Sequence, residues 1–183
     1  MVRDMLKLKY LLPAAFLLLC SPALAHPNTE NAAQYVTRSL TITGAVEHPL
    51  TLTVADLAQR PDLQVRTIPL DTISGEPLRS LENLRGVRLR DLLDEAVIHI
   101  EDHNDIKKMV VIAGASDGYK VVFSCEELFN TPNGDDVYVY FETAGQPLPD
   151  EEGRIALISG HDLHTGPRHV KWLNAISVVK VAD

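Results

Sequence analysis

Cysteine is nearly absent from this chain: there are two in 183 residues. Cys20 sits in a segment built like an export leader. Arg3, Lys7 and Lys9 stand ahead of an apolar stretch from Tyr10 to Cys20, and Ala23-Leu24-Ala25 forms a small-residue cleavage site. The chain is therefore expected to reach the periplasm through a signal peptide spanning 1–25, with the mature protein starting at His26. Cleavage leaves Cys125 alone, which excludes an internal disulfide and makes the fold depend on packing. A lipid anchor at Cys20 fits poorly, since three leucines precede it where small residues belong. Long apolar runs are also lacking. The leader's apolar stretch falls short of the roughly 20 residues of a membrane span, so no membrane insertion is expected after processing. Basic residues are scarce too: removing Arg3, Asp4, Lys7 and Lys9 from 17 basic and 25 acidic residues leaves 14 and 24, a formal charge of −10. That balance argues against a nucleic-acid groove and against an anionic membrane surface. No phosphate-binding glycine loop or His-Glu-x-x-His occurs, so the usual nucleotide and zinc-protease signatures are missing.

What is present suffices for one domain, 39–183, behind a polar lead-in, 26–38, expected to be flexible. Ser39 to Val46 alternates with period two and stops at Glu47-His48-Pro49, a strand and its turn. Thr53 is placed to cap a short helix through Gln59. Gln64 to Leu70 reads as an edge strand, because Pro69 cannot donate to a ladder. Asp71 to Gly86, with two glycines and one proline, reads as an irregular connector from which Thr72, Ser74 and Arg79 could reach a ligand. Leu89, Leu92, Leu93 and Ala96 recur at helical spacing. Ser116-Asp117-Gly118 between two apolar segments is the clearest hairpin signal. Glu126 to Phe129 gives a helical turn, and Val137 to Phe141 and Ile155 to Ile158 give two more strands. Together these elements predict an α+β domain dominated by mixed β-sheet, with a few short helices.

The densest polar run lies late in the chain, from Leu157 to Leu173. It holds three histidines, Asp162, Arg168, two glycines and the only tryptophan, between two apolar segments. Such a run reads as a loop fixed at both ends by sheet, the kind of place where a rigid scaffold presents binding groups. His161, His164, His169 and Asp162 include enough donors for zinc or copper, but their spacing fits no metal signature, and no metal site is expected. Ser159, His161 and Asp162 spell a triad on paper only, since sequence neighbours rarely take up the required geometry. No catalytic residue is assigned. Cys125, beside two glutamates, reads as an inert thiol.

Gly86-Val-x-Leu-x-Asp-Leu-Leu93, Asp117-Gly118-Tyr119 before a strand, Gly145-Gln-Pro-Leu148 after one, and Gly166-Pro-Arg-x-Val-x-Trp-Leu173 before the last strand come in an order that resembles the sulfite-oxidase-like molybdopterin-binding domain family. The resemblance spans about Leu40 to Val181. It implies a cofactor-facing role for the Asp71 to Gly86 segment. It also implies a molybdenum-ligating cysteine just before the Gly-Val-x-Leu helix, yet Val65 to Arg85 contains none. Among family members, the chain is most similar to small exported pterin-binding sensors that lack that cysteine. The resemblance therefore implies a non-catalytic periplasmic protein that binds a free reduced pterin. Its partner would be the periplasmic domain of a membrane-bound cyclic di-GMP synthase or phosphodiesterase. The alternative is a molybdenum-cofactor-dependent oxidoreductase holding molybdopterin through a ligand other than thiolate.

A pterin presents two adjacent donors, the 2-amino group and N3–H, and acceptors at O4 and N5. A carboxylate can accept both donors in one paired contact, and Asp162 is the candidate. Arg168 can donate to O4 or N5, or stack on the ring. Trp172, His161 or His164 can supply the flat wall, and the backbone at Ser159 and Gly160 permits close approach. Each has a structural alternative: Trp172 as a core anchor, Arg168 as a loop tie, Asp162 as a turn cap, and His169 as a solvent-facing strand residue.

Overall fold

The computed structural model describes residues 29–182, so the leader read at 1–25 lies outside the described residues. Residues Thr29–Gln34 form a 3-10 helix. Among the described residues, ten strands and three α-helices follow: β1 Ser39–Gly44, β2 Leu50–Thr53, α1 Val54–Ala58, β3 Gln64–Asp71, β4 Pro77–Arg88, α2 Leu89–Ala96, β5 Met109–Ala115, β6 Lys120–Ser124, α3 Cys125–Asn130, β7 Val137–Thr143, β8 Gln146–Pro147, β9 Ala156–Ser159 and β10 Leu173–Lys180. One sheet runs β2-β1-β10-β5-β6, with β1 and β10 parallel. The other runs β3-β4-β7-β8, with β9 also paired to β7. The α+β class and the mixed sheet agree with the sequence reading.

Local chemistry explains several boundaries. Thr53 and Asp56 form a reciprocal capping box that starts α1. Leu89, Leu92, Leu93 and Ala96 are all fully buried on one side of α2, and each such leucine contributes roughly 1.5–3 kcal/mol of burial. β3 does lie at a sheet edge, where Pro69 costs no ladder bond. Gly118 takes φ 94° in the β5–β6 turn, a conformation glycine adopts without a Cβ penalty.

The main core draws on both sheets and includes Ile42, Val87, Leu92, Val111, Val139 and Ile176. A second cluster covers the other face of the second sheet, with Ile68, Leu84, Tyr138, Tyr140 and Ile158. β7 therefore sends Val137, Val139 and Phe141 one way and Tyr138 and Tyr140 the other, which is why its whole run is apolar.

One reading is corrected. Asp71 to Gly86 is not an irregular connector: all but Thr72 to Glu76 is strand, closing a hairpin with β3. The Thr72 amide donates to the Glu76 carbonyl at 2.9 Å and the Gly75 amide to the Thr72 carbonyl at 2.9 Å, which closes the turn. The period-two signal is hidden by a β-bulge. Arg66 faces Leu84 and Ile68 faces Leu81, so β4 spends one extra residue there, with Asn83 at φ 46°. The buried leucines Leu81 and Leu84 consequently fall three apart instead of two.

Candidate functional site

β9 ends in the second sheet at Ser159 and β10 begins in the first at Leu173, so the polar loop bridges the two sheets. Leu157 and Val170 exchange backbone hydrogen bonds of 2.8 Å in both directions, which ties the loop across its base. Above that tie the side chains reach partners on several separate elements.

Asp162 and Arg168 meet each other. Arg168 Nε donates to Asp162 Oδ2 at 2.6 Å, and its Nη2 donates both to Asp162 Oδ1 and, at 2.8 Å, to Glu127 Oε1. Ser159 Oγ donates to Asp162 Oδ1 at 2.8 Å. The guanidinium also lies over the Phe123 ring, 4.4 Å from its centroid. Hydrogen bonding to Asp162 leads the effects that raise the Arg168 pKa above its ordinary value. Both oxygens of the acid selected from sequence are thus occupied by the protein itself.

The histidines diverge. His161 Nδ1 lies 3.0 Å from the Pro132 carbonyl and its Nε2 3.4 Å from Asp136 Oδ2. His164 Nδ1 is buried with no hydrogen bond among the described residues, 3.6 Å from Asp71 Oδ2. Beside it, Thr165 clasps the β3–β4 hairpin: its amide donates to Asp71 Oδ1 at 2.8 Å and its hydroxyl to the Pro69 carbonyl at 2.9 Å. The Thr165 amide is the main reason the Asp71 carboxyl is held below its usual range. A Cβ at Gly160 would stand 3.1 Å from Asp136 Oδ2 and from Ile68 Cδ1, so its close approach is to this protein's own side chains. Among the described residues, no three His, Cys, Asp or Glu side chains gather in a metal-holding group.

Trp172 is buried, with Nε1 donating to the Asp150 carbonyl at 2.7 Å and the ring 5.6 Å from that of Tyr35. Its amide donates to the Glu152 carbonyl at 2.9 Å, at φ 49°.

His169 is not a solvent-facing strand residue. Its side chain is 8% exposed, with Nε2 2.7 Å from the Tyr140 hydroxyl and 3.4 Å from Glu152 Oε2. Burial pushes its pKa down to about 4, against the pull of Glu152. The unfolded chain, with an ordinary imidazole near 6.5, takes up the proton first on acidification. The stability this neutral histidine preserves is therefore complete above about pH 6.5 and falls as pH drops towards 4, by about 3 kcal/mol in all. His169→Gln keeps a hydrogen-bonding group beside Tyr140 without titrating. Urea midpoints across that range are expected to slope less steeply in the variant, and equal slopes would refute the assignment.

Asp71, Glu127, Tyr140 and Glu152 were not selected from sequence. They join this loop from 94, 41 and 29 residues away in the cases of Asp71, Glu127 and Tyr140. The available signals were weak: a turn-starting aspartate and an acid next to Gly153. A cavity of about 340 Å³ lies elsewhere, under the end of α2, lined by Leu93, Asp94, Val97, Ile98, Ile106 and Phe129.

One mixed and one antiparallel sheet sharing a core, with a polar loop crossing between them, define a sulfite-oxidase-like molybdopterin-binding fold. The sulfane dehydrogenase SoxCD from Paracoccus pantotrophus has a similar structure, with a TM-score of 0.59 at 22% identity, over 78% of this chain and 38% of that one. The likeness at that identity is one of fold, and this chain spans well under half of that protein's length. A search of curated proteins gives no match. The sequence matches the family described as oxidoreductase molybdopterin binding domain over residues 26–183, and the chain belongs to that family.

Membership implies a pterin-type cofactor, but the residues present do not fit a thiolate-held molybdenum centre. Residues 65–85 form β3 and β4 and their turn and hold no cysteine. Cys125 is fully buried in the first turn of α3, where burial, with Glu126 second, pushes its thiol up to about 11. Cys125 therefore lies in the core on α3, away from β3 and β4, where the resemblance places the metal-holding thiolate.

Proposed function

We propose that this chain is a non-catalytic periplasmic protein that binds a free reduced pterin and reports it to a membrane-bound cyclic di-GMP synthase or phosphodiesterase through that enzyme's periplasmic domain. The observation that carries this reading is a family fold retained without the family's thiolate. The frame that would present a pterin remains, while the sulfur that would hold a metal is missing from β3 and β4. The polar loop from Gly160 to Trp172, with the groups packed beneath it, is the receiving surface. Its ties to both sheets and to the β3–β4 hairpin suit a loop whose small shifts are felt by neighbouring surface, as reporting requires.

Anaerobic titration of the purified mature protein with a tetrahydropterin, followed by fluorescence or heat, is expected to show saturable binding. No saturable binding of any pterin would overturn the proposal. For the partner, the ligand-loaded protein is expected to associate with a periplasmic sensor domain at least about tenfold more tightly than the free protein, a typical coupling of about 1.4 kcal/mol. Association indifferent to pterin would remove that part. The family match leaves one alternative, a molybdenum-cofactor-dependent oxidoreductase with a non-thiolate ligand. Stoichiometric molybdenum in protein from its native host would select it.

A further inference from the structure

We propose that Glu152, and not Asp162, is the carboxylate that receives the donor edge of the pterin; this rests on the pterin reading above and relocates its recognition point. Asp162 has little capacity to spare, since Arg168 bonds both its oxygens in a paired contact and Ser159 takes a second site on Oδ1. Glu152 differs. Its side chain is 7% exposed, and its Oε2 is buried with no hydrogen-bond partner among the described residues. His169 Nε2 comes within 3.4 Å of that oxygen, but the Tyr140 hydroxyl engages the same nitrogen at 2.7 Å. An unsatisfied buried polar atom costs on the order of 1–3 kcal/mol and more when charged, so one on a carboxylate calls for an explanation.

The carboxylate is held rigidly and covered loosely. The Glu152 amide donates to the Pro149 carbonyl at 3.0 Å, and its carbonyl accepts the Trp172 amide at 2.9 Å, which fastens the acid to the candidate loop beside the Trp172 and Tyr35 rings. The other oxygen, Oε1, faces Arg79 and, at 3.2 Å, Lys171, whose side chains are 54% and 39% exposed. Both cations reach water, so a ligand donor that replaces one of them on Oε1 leaves that cation solvated and the carboxylate paired. A ligand whose edge carries two adjacent N–H donors would take both carboxylate oxygens in one paired contact, satisfying Oε2 and replacing a cation on Oε1. The displaced Arg79 guanidinium then stands beside the ligand's O4 acceptor. Donors meet the acid and the acceptor meets the base, as the pterin edge requires.

The tetrahydro forms of 6,7-dimethylpterin and 6,7-dimethyllumazine differ at position 2, amino against oxo. The wild-type protein is expected to prefer the pterin by at least about 30-fold, because the lumazine sets an acceptor against Glu152. Glu152→Gln, whose amide can donate to the oxo group, is expected to narrow that preference to about threefold or less. Asp162→Asn is expected to keep the wild-type ratio. A general loosening of the fold would weaken both ligands together and leave the ratio intact, so an unchanged ratio in Glu152→Gln overturns the inference. So does a ratio erased by Asp162→Asn, or a wild type that binds both ligands equally. If the glutamine variant fails to fold, the outcomes for the wild type and Asp162→Asn still decide: equal binding by the wild type, or a ratio erased by Asp162→Asn, overturns the inference, and a ratio kept by Asp162→Asn supports it. Pterin binding without discrimination defeats this inference alone, whereas a wild type that binds neither ligand defeats the pterin reading and this inference with it.

Discussion

Replacing Trp172 with alanine is expected to destabilise the protein by about 3–5 kcal/mol, the range for removing a packed tryptophan. The ring is buried, rests against Tyr35, and spans from the loop to the turn at Pro149 to Gly153 through its bond to the Asp150 carbonyl. Its backbone is equally committed, with the amide on the Glu152 carbonyl and the carbonyl accepting the Ser116 amide at 3.1 Å. A Cβ at Gly153 would stand 2.7 Å from Trp172 Cα, so the turn is packed directly under this residue and cannot collapse far into the space left behind. Trp172→Phe keeps most of the apolar surface and loses one bond to a carbonyl that also accepts the Gly153 amide, so about 1 kcal/mol is expected. Leu163→Ala is the control: this residue of the same loop is 91% exposed and should change stability by no more than about 0.5 kcal/mol. Urea unfolding of the three variants measures the order. A Trp172→Ala loss close to that of Leu163→Ala would show that the ring is not a core anchor.

The second large effect is at Arg168. Methionine there is expected to cost about 2–3 kcal/mol, because Asp162 and Glu127 lose the cation between them while remaining mostly enclosed, at 13% and 23% side-chain exposure. A fully buried pair broken in this way costs roughly 3–5 kcal/mol, and residual contact with water lowers the figure. Contact with the Phe123 ring is partly kept by the methionine side chain. Adding Asp162→Leu should recover part of the loss, since it removes one of the stranded charges. The four proteins form a double-mutant cycle with an expected coupling of about 1–3 kcal/mol. Additivity within about 0.5 kcal/mol would mean that the ion pair does not hold the loop.

Legibility followed the range of the interactions involved. α2 was readable because its buried positions repeat within one helix, and the β5–β6 hairpin because Ser116-Asp117-Gly118 encodes its own turn. β4 was unreadable because the bulge at Asn83 breaks the alternation that marks a strand, and only pairing with β3 compensates for it. His169 looked like an exposed neighbour of Val170. Its burial depends on Tyr140 and Glu152, neither of which its own segment predicts.

The sequence alone determined the class of fold, the position of the polar loop between two strands and the missing cysteine, because each is written in residue types and short-range spacing. Only the tertiary structure decided which acid is satisfied and which is not. A carboxylate's state depends on what approaches it through space: β4 brings Arg79 to Glu152, with His169 and Lys171 from the loop, whereas Ser159 and Arg168 between them engage both oxygens of Asp162.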